Sequence, residues 1–329
     1  MTLERPAPIE TNPLRLTDKP KPVPAPGEIC VRVRACGVCR TDLHVAEGDL
    51  APKHRGIVPG HEIVGTVEQS GPGSERFATG TRVGIAWLRY TDGTCEYCRS
   101  GRENLCPNAL FTGWDRDGGY AEYAVVREDF AYRLPDAIDD EHAAPLLCAG
   151  IIGFRAIKRA GVVPGATVGL YGFGGSAHLA LQVLRHWNCR VFVMSRGGVH
   201  RDLASELGAD WIGDASEAPP APLDAAILFA PAGELVPAVM SALGRGGVLA
   251  IAGIHLTQIP PLDYAAHLFD EREIRSVTAN TRADGEEFLA IAGAIPIKSA
   301  TVGMRLEDAN GALNMLKHDE LRGAAVLHV

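Results

Sequence analysis

Four residues spread over 110 positions carry the side chains best suited to hold a soft divalent metal: Cys39, His61, Glu62 and Cys148. Two thiolates, an imidazole and a carboxylate form a ligand set that suits zinc. Each lies in a short string that reads as arranged around metal chemistry: Gly37-Val38-Cys39-Arg40-Thr41-Asp42-Leu43-His44, Gly60-His61-Glu62, and Pro145-Leu146-Leu147-Cys148-Ala149-Gly150. A zinc ion held by three side chains keeps one position open, which is the arrangement of a catalytic site.

A second cluster follows. Cys95-Glu96-Tyr97-Cys98, preceded by Asp92 and followed by Cys106, has the spacing of a closed structural metal lobe. Asp92 is the fourth side chain of the group able to ligate a metal. One aspartate and three cysteines can still hold zinc, more weakly and with harder character than four thiolates. The competing expectation is an empty lobe with free or oxidised thiols. Cys36 makes a Cys-x-x-Cys with Cys39, but Cys39 is better spent as a ligand than in a redox pair. Cys30 and Cys189 read as small buried hydrophobes.

A third string, Gly172-Phe173-Gly174-Gly175-Ser176-Ala177, follows the apolar run Thr167–Tyr171 and opens a helical pattern. In that context it reads as a dinucleotide-binding loop. Gly172 permits the tight turn, Gly174 and Gly175 let backbone approach a pyrophosphate, and Ala177 allows close helix packing. The phosphates would meet the positive end of the helix. The next strand ends in Met194-Ser195-Arg196. An acid at about position 195 would bind the ribose hydroxyls of NAD(H). Ser195 cannot do so as well, and Arg196 suits a 2′-phosphate, which favours NADP(H).

These elements must be positioned by two domains, since 329 residues exceed one ordinary core. Short β-branched runs at 28–35, 63–69 and 82–86, bounded by turn residues, predict a β-rich, partly barrel-like domain. From Gly150 the pattern changes. Helical spacing at 154–160, a strand at 167–171, a helix at 177–186, a strand at 190–194, a helix at 201–207 and strands at 225–229 and 248–251 alternate, which predicts a doubly wound parallel sheet. The stretch 20–26 reads as a loop. Hydrophobic content of 46% suits a globular protein. A net charge of −8 gives no reason to expect nucleic acid or an anionic membrane as partner. No apolar run is long enough to span a bilayer, and the first residues lack the apolar core of a signal peptide. With the metal-like cysteine spacing, the expectation is a reducing cytoplasm.

Taken together, the Cys-x-Thr-Asp-x-His string, Gly-His-Glu, the cysteine lobe, Gly-Gly-Tyr-Ala-Glu-Tyr at 118–123 and the late glycine loop resemble the zinc-dependent medium-chain alcohol dehydrogenases of bacterial type, over essentially the whole length. The resemblance implies a GroES-like catalytic domain from residues 1–148 and 286–329, and a Rossmann domain at 149–285. It implies Cys39, His61 and Cys148 as zinc ligands, Glu62 as an adjacent carboxylate and Asp42 as the orienter of a ligating histidine. It makes Thr41 and His44 a proton relay and Arg40 a contact to the cofactor pyrophosphate. Trp87, Leu88 and Trp114 become the lining of a pocket for small alcohols or aldehydes, and the assembly a homodimer or homotetramer. A first edge strand is expected to be short or absent. Two other readings stand beside it: a zinc-free quinone or enone reductase on the same fold, which has no need of Cys39, His61 and Cys148 together, and a non-catalytic dinucleotide-binding protein, which has no need of Thr41 and His44.

Overall fold

The computed structural model describes all 329 residues and divides into two compact units, Met1–Cys148 with Ala279–Val329, and Ala149–Thr278. In the first, a seven-stranded sheet curls around the long strand Glu28–Gly37. Its residues 28–32 pair antiparallel with Tyr123–Arg127, and residues 35–37 pair with 326–328 of the strand Ala324–His328. Its other edge pairs with Glu62–Ser70, which continues to Arg82–Ile85 and Ala131–Arg133. The alternation is that of a half-buried sheet: Val31 and Val33 are buried while Arg32 and Arg34 point to solvent. Ile29, Ile63, Val83, Val126, Phe130 and Leu327 meet in the core. Burying a Val, Leu or Phe contributes about 1.5–3 kcal/mol each. The register sets Gly37 opposite Glu62, so the two strand ends that precede Cys39 and follow His61 lie side by side.

The expected first edge strand is the two-residue Thr2–Leu3, paired with Leu14–Arg15. The chain re-enters this unit at Ala279, earlier than residue 286. The reason is local. Thr281 caps the helix Arg282–Ala294 through Asp284, and Asn280 reaches the Tyr132 hydroxyl at 3.3 Å, inside the β-rich unit.

The second unit is a six-stranded, wholly parallel sheet. Its order is Trp211–Gly213, Arg190–Met194, Thr167–Tyr171, Leu223–Leu228, Leu243–Ile251 and Glu273–Ser276. Thr167–Tyr171 is buried throughout, as a parallel strand covered on both faces must be. The chain leaves it first toward Arg190–Met194 and later returns on its other side as Leu223–Leu228. The carboxyl end of Thr167–Tyr171 is therefore the point where strand order reverses, and the glycine loop begins there. No helix is long and apolar enough to cross a membrane.

Candidate active site

Cys39 occupies the cap position of the helix Arg40–Glu47, just beyond the strand Glu28–Gly37. His61 precedes the strand that begins at Glu62, and Cys148 follows the buried turn Ala144–Leu147. The structure brings all four together: the ligand atoms of Cys39, His61, Glu62 and Cys148 lie within 4.8 Å of one another. Cys39 Sγ and Cys148 Sγ are 3.8 Å apart. That is the edge of a tetrahedron with metal–sulfur bonds of about 2.3 Å. His61 is fully buried and Glu62 nearly so, yet His61 Nε2 and Glu62 Oε2 have no hydrogen-bond partner. Orphaned buried polar atoms are costly unless something else meets them, so this donor set fits a zinc ion. Glu62 has its place because residue 37 is glycine: a Cβ there would lie 1.9 Å from Glu62 Oε2.

The electrostatics of the cluster follow from burial and from close contact among the four groups. Burial pushes the Glu62 carboxyl well up, with the Cys39 thiolate adding to it. The bond from Cys148 holds the Cys39 thiol low, and the same bond, with burial, pushes Cys148 up. Burial alone would lower His61, but Asp42 and Cys39 outweigh it and hold it well above its ordinary value.

Asp42 is the hub behind the ligands. It is 1% exposed and its carboxylate accepts four bonds. Oδ1 takes His61 Nδ1 at 2.9 Å and the Gly60 amide at 3.1 Å. Oδ2 takes the Cys39 amide at 3.0 Å and the Tyr120 hydroxyl at 3.1 Å. The first bond leaves Nε2 as the metal-facing nitrogen of His61.

Thr41 and His44 share one face of the Arg40–Glu47 helix. Thr41 Oγ1 lies 3.7 Å from Cys39 Sγ. His44 turns Nδ1 to Asp49 Oδ2 at 2.9 Å and keeps a buried, unpartnered Nε2. Thr41 and His44 do not bond each other directly. Arg40 instead donates to the Leu316 carbonyl at 3.1 Å and to Asp319 at 3.0 Å. Trp87 packs edge-on to His61 at 4.9 Å and stacks on Phe111 and Trp114. These rings are partly exposed and form an aromatic wall beside the ligands. Leu88 differs: it opens the strand Leu88–Tyr90 and is fully buried in the core.

The second cluster also converges, with Asp92, Cys95, Cys98 and Cys106 within 4.8 Å. Its Asp92 Oδ1 already accepts from the Thr94 and Cys95 amides at 2.9 Å, and Oδ2 from Asn108 at 2.9 Å. Oδ1 is filled by its two amides but Oδ2, with one bond, keeps a lone pair, so three thiols and a carboxylate oxygen remain a workable ligand set.

In the parallel unit, Gly172 has φ +88° and a Cβ there would meet the Ala230 amide nitrogen at 2.8 Å. Gly174 opens onto free space, and no side chain caps the helix Gly175–His186, leaving its first amides free for a phosphate. Ala177 is fully buried, as the packing role requires. Ser195 is buried; Arg196 is exposed, within electrostatic reach of Asp214 and Glu234.

Sequence reasoning did not single out Tyr120, Asp49, Phe111 or the Glu103–Arg282 pair. Tyr120 sat within a quoted motif, but nothing in the string says its hydroxyl finds Asp42. Glu103, in the cysteine lobe, grips Arg282 at 2.7 Å from the start of the Arg282–Ala294 helix.

The Alcohol dehydrogenase GroES-like domain matches residues 25–136. A probable alcohol dehydrogenase, AdhA, of Mycobacterium tuberculosis is 53% identical, covering 99% of this chain and 95% of the relative. An alcohol dehydrogenase of Geobacillus stearothermophilus is 34% identical, covering 96% of each. Among solved structures, a cobalt- and zinc-bound thermostable alcohol dehydrogenase from Pyrobaculum aerophilum superposes with a TM-score of 0.90 at 27% identity, covering 100% of this chain and 98% of that one. With this architecture, these clusters and relatives of such identity over nearly full length, the chain belongs to the medium-chain alcohol dehydrogenase family, whose members are oxidoreductases.

Proposed function

We propose that this chain oxidises small uncharged alcohols and reduces the matching aldehydes, using a zinc ion at Cys39, His61 and Cys148 and NADP(H) at the glycine loop. The observation that carries it is the pair of unpartnered buried atoms, His61 Nε2 and Glu62 Oε2, converging with two thiols. The chemistry that zinc supplies there is Lewis-acid polarisation of the substrate oxygen, with a lowered hydroxyl pKa. The chemistry that the nicotinamide supplies is hydride acceptance or donation.

The protein's own groups do the rest. Asp42 holds the His61 ring with Nε2 aimed at the cluster. Glu62, beside the three ligands, is the carboxylate able to exchange onto the metal. Thr41 Oγ1, next to the Cys39 sulfur, takes the hydroxyl proton as it gives up its own, and His44 Nε2, its ring oriented by Asp49, is the final acceptor, reached across a bridging water because the two side chains do not bond directly. Trp87, Phe111 and Trp114 keep water from the reacting carbon and favour apolar substrates. Gly172, Gly174 and the free end of the Gly175–His186 helix take the pyrophosphate, and Arg196 takes the 2′-phosphate. Arg40, whose Nη2 donates to the Leu316 carbonyl and Asp319, remains the candidate contact to the pyrophosphate. The Asp92 lobe holds a second, structural zinc, and the chain works as a homo-oligomer.

The test is steady-state turnover of a panel of primary alcohols with NADP and with NAD, in the unaltered protein and in Cys39→Ser. The expected result is NADP-preferring turnover of apolar alcohols that vanishes in the variant while cofactor binding persists. Equal turnover in both proteins contradicts the reading.

A further inference from the structure

We propose that Tyr120 is a positioning residue for the metal centre: its hydroxyl clamps Asp42 so that Asp42 keeps His61 and Cys39 aimed at one point. This rests on the reading of Cys39, His61 and Cys148 as zinc ligands.

Three of the four donors to Asp42 belong to the ligand strings themselves: His61 Nδ1, the Gly60 amide beside it and the Cys39 amide. Those bonds tie Asp42 to the parts it must orient. Only the Tyr120 hydroxyl comes from elsewhere, 78 residues away in sequence, on a rigid and fully buried ring. It anchors the carboxylate to the core rather than to the ligands. The ring is itself wedged in place. A Cβ at Gly60 would lie 2.4 Å from Tyr120 Cδ1, and Gly60 has φ +96°, so the residue before His61 folds around the tyrosine face. Tyr120 thus meets the ligand strings three times, through its hydroxyl on Asp42, its ring on Gly60 and its amide on the Pro59 carbonyl at 3.0 Å.

Tyr132 provides the contrast. It is a buried tyrosine of the same unit whose hydroxyl meets Asn280 and no group of the cluster. Losing its hydroxyl should cost stability without touching the metal.

The experiment is chelator competition on the zinc-loaded holoenzyme for the unaltered protein, Tyr120→Phe and Tyr132→Phe. The buried site is assigned as the release phase that Cys39→Ser lacks. Cobalt(II)-substituted samples supply an absorption spectrum independent of activity. Tyr120→Phe is expected to weaken the buried site about ten-fold, the lower end for a lost partner behind a ligating histidine. It should shift the cobalt bands, while Tyr132→Phe changes neither. In a double-mutant cycle with Asp42→Asn, the Tyr120→Phe effect should shrink, since both act through one carboxylate. Unchanged affinity and spectrum in Tyr120→Phe, equal weakening in Tyr132→Phe, or full additivity with Asp42→Asn overturns the positioning role. An unaltered protein with no such release phase overturns the zinc reading itself, and this proposal with it.

Discussion

The β-rich unit carries two clusters built from nearly the same side chains, and their surroundings make them opposites. Around Cys39, His61, Glu62 and Cys148 the ligands are backed by a saturated carboxylate, Asp42, while the Glu62 carboxylate keeps a bare oxygen. Around Asp92, Cys95, Cys98 and Cys106 the carboxylate belongs to the cluster itself and is already held by two amides and Asn108. The amide of Cys95, then Asn108 and the amide of Thr94, keep the Asp92 carboxyl far below the ordinary range. In one cluster His61 Nε2 and Glu62 Oε2 are buried without a hydrogen-bond partner; in the other both carboxylate oxygens carry bonds. The two clusters differ less in ligand identity than in the bonding of the atoms behind and beside the ligands.

The sharpest way to break the comparison is to remove one sulfur from each cluster. Cys39→Ser should reduce turnover by roughly 10³-fold or more, the worth of several kcal/mol of Lewis-acid stabilisation. Cys98→Ser should lower thermal stability while the protein that stays folded keeps its kcat. Comparable losses of kcat in both would erase the distinction. A step smaller, Asp42→Asn should cost roughly 10–100-fold in zinc affinity or activity, because Asp42 sets the His61 ring. No carboxylate stands in that position behind the second cluster. Arg196→Ala probes the other unit: KM for NADP should rise about ten-fold, the worth of one charge-assisted hydrogen bond, while KM for NAD stays put. An equal rise for both would remove Arg196 as the phosphate reader. The smallest effect is expected at the lobe's anchor. Glu103→Gln weakens the Arg282 pair, and urea denaturation should show a loss of about 1–2 kcal/mol with kcat unaltered.

The parts of this molecule legible in its sequence are those encoded locally. Cys39, Asp42, His61 and Glu62 announce themselves because each ligand sits in a short string whose neighbours also matter. The glycine loop is legible because a buried strand precedes it and a helix follows. What was not legible depends on distant partners or on face. Tyr120 reads as one more core aromatic until the fold brings its hydroxyl to Asp42. Leu88 reads as Trp87's companion in a pocket, but the strand Leu88–Tyr90 that it opens buries it in the core. Two strands of the parallel sheet leave no clear trace in the sequence, for physical reasons. Trp211–Gly213 is too short to show a period. Glu273–Ser276, charged at alternate positions, lacks the apolar run expected of a parallel sheet, because it is the edge strand. Leu243–Ile251 begins earlier than its apolar part, since Gly244, Gly246 and Gly247 read as a turn. The return to the β-rich unit at Ala279 is set by Asn280 meeting Tyr132, a contact across 148 positions.

The central claim is that the buried cluster is a zinc site. Elemental analysis of protein purified without added metal, run beside Cys39→Ser, tests it most directly. About two zinc ions per chain are expected in the unaltered protein and about one in the variant, with the variant still folded. A folded unaltered protein with almost no zinc, or a Cys39→Ser variant that retains all of it, would contradict the claim.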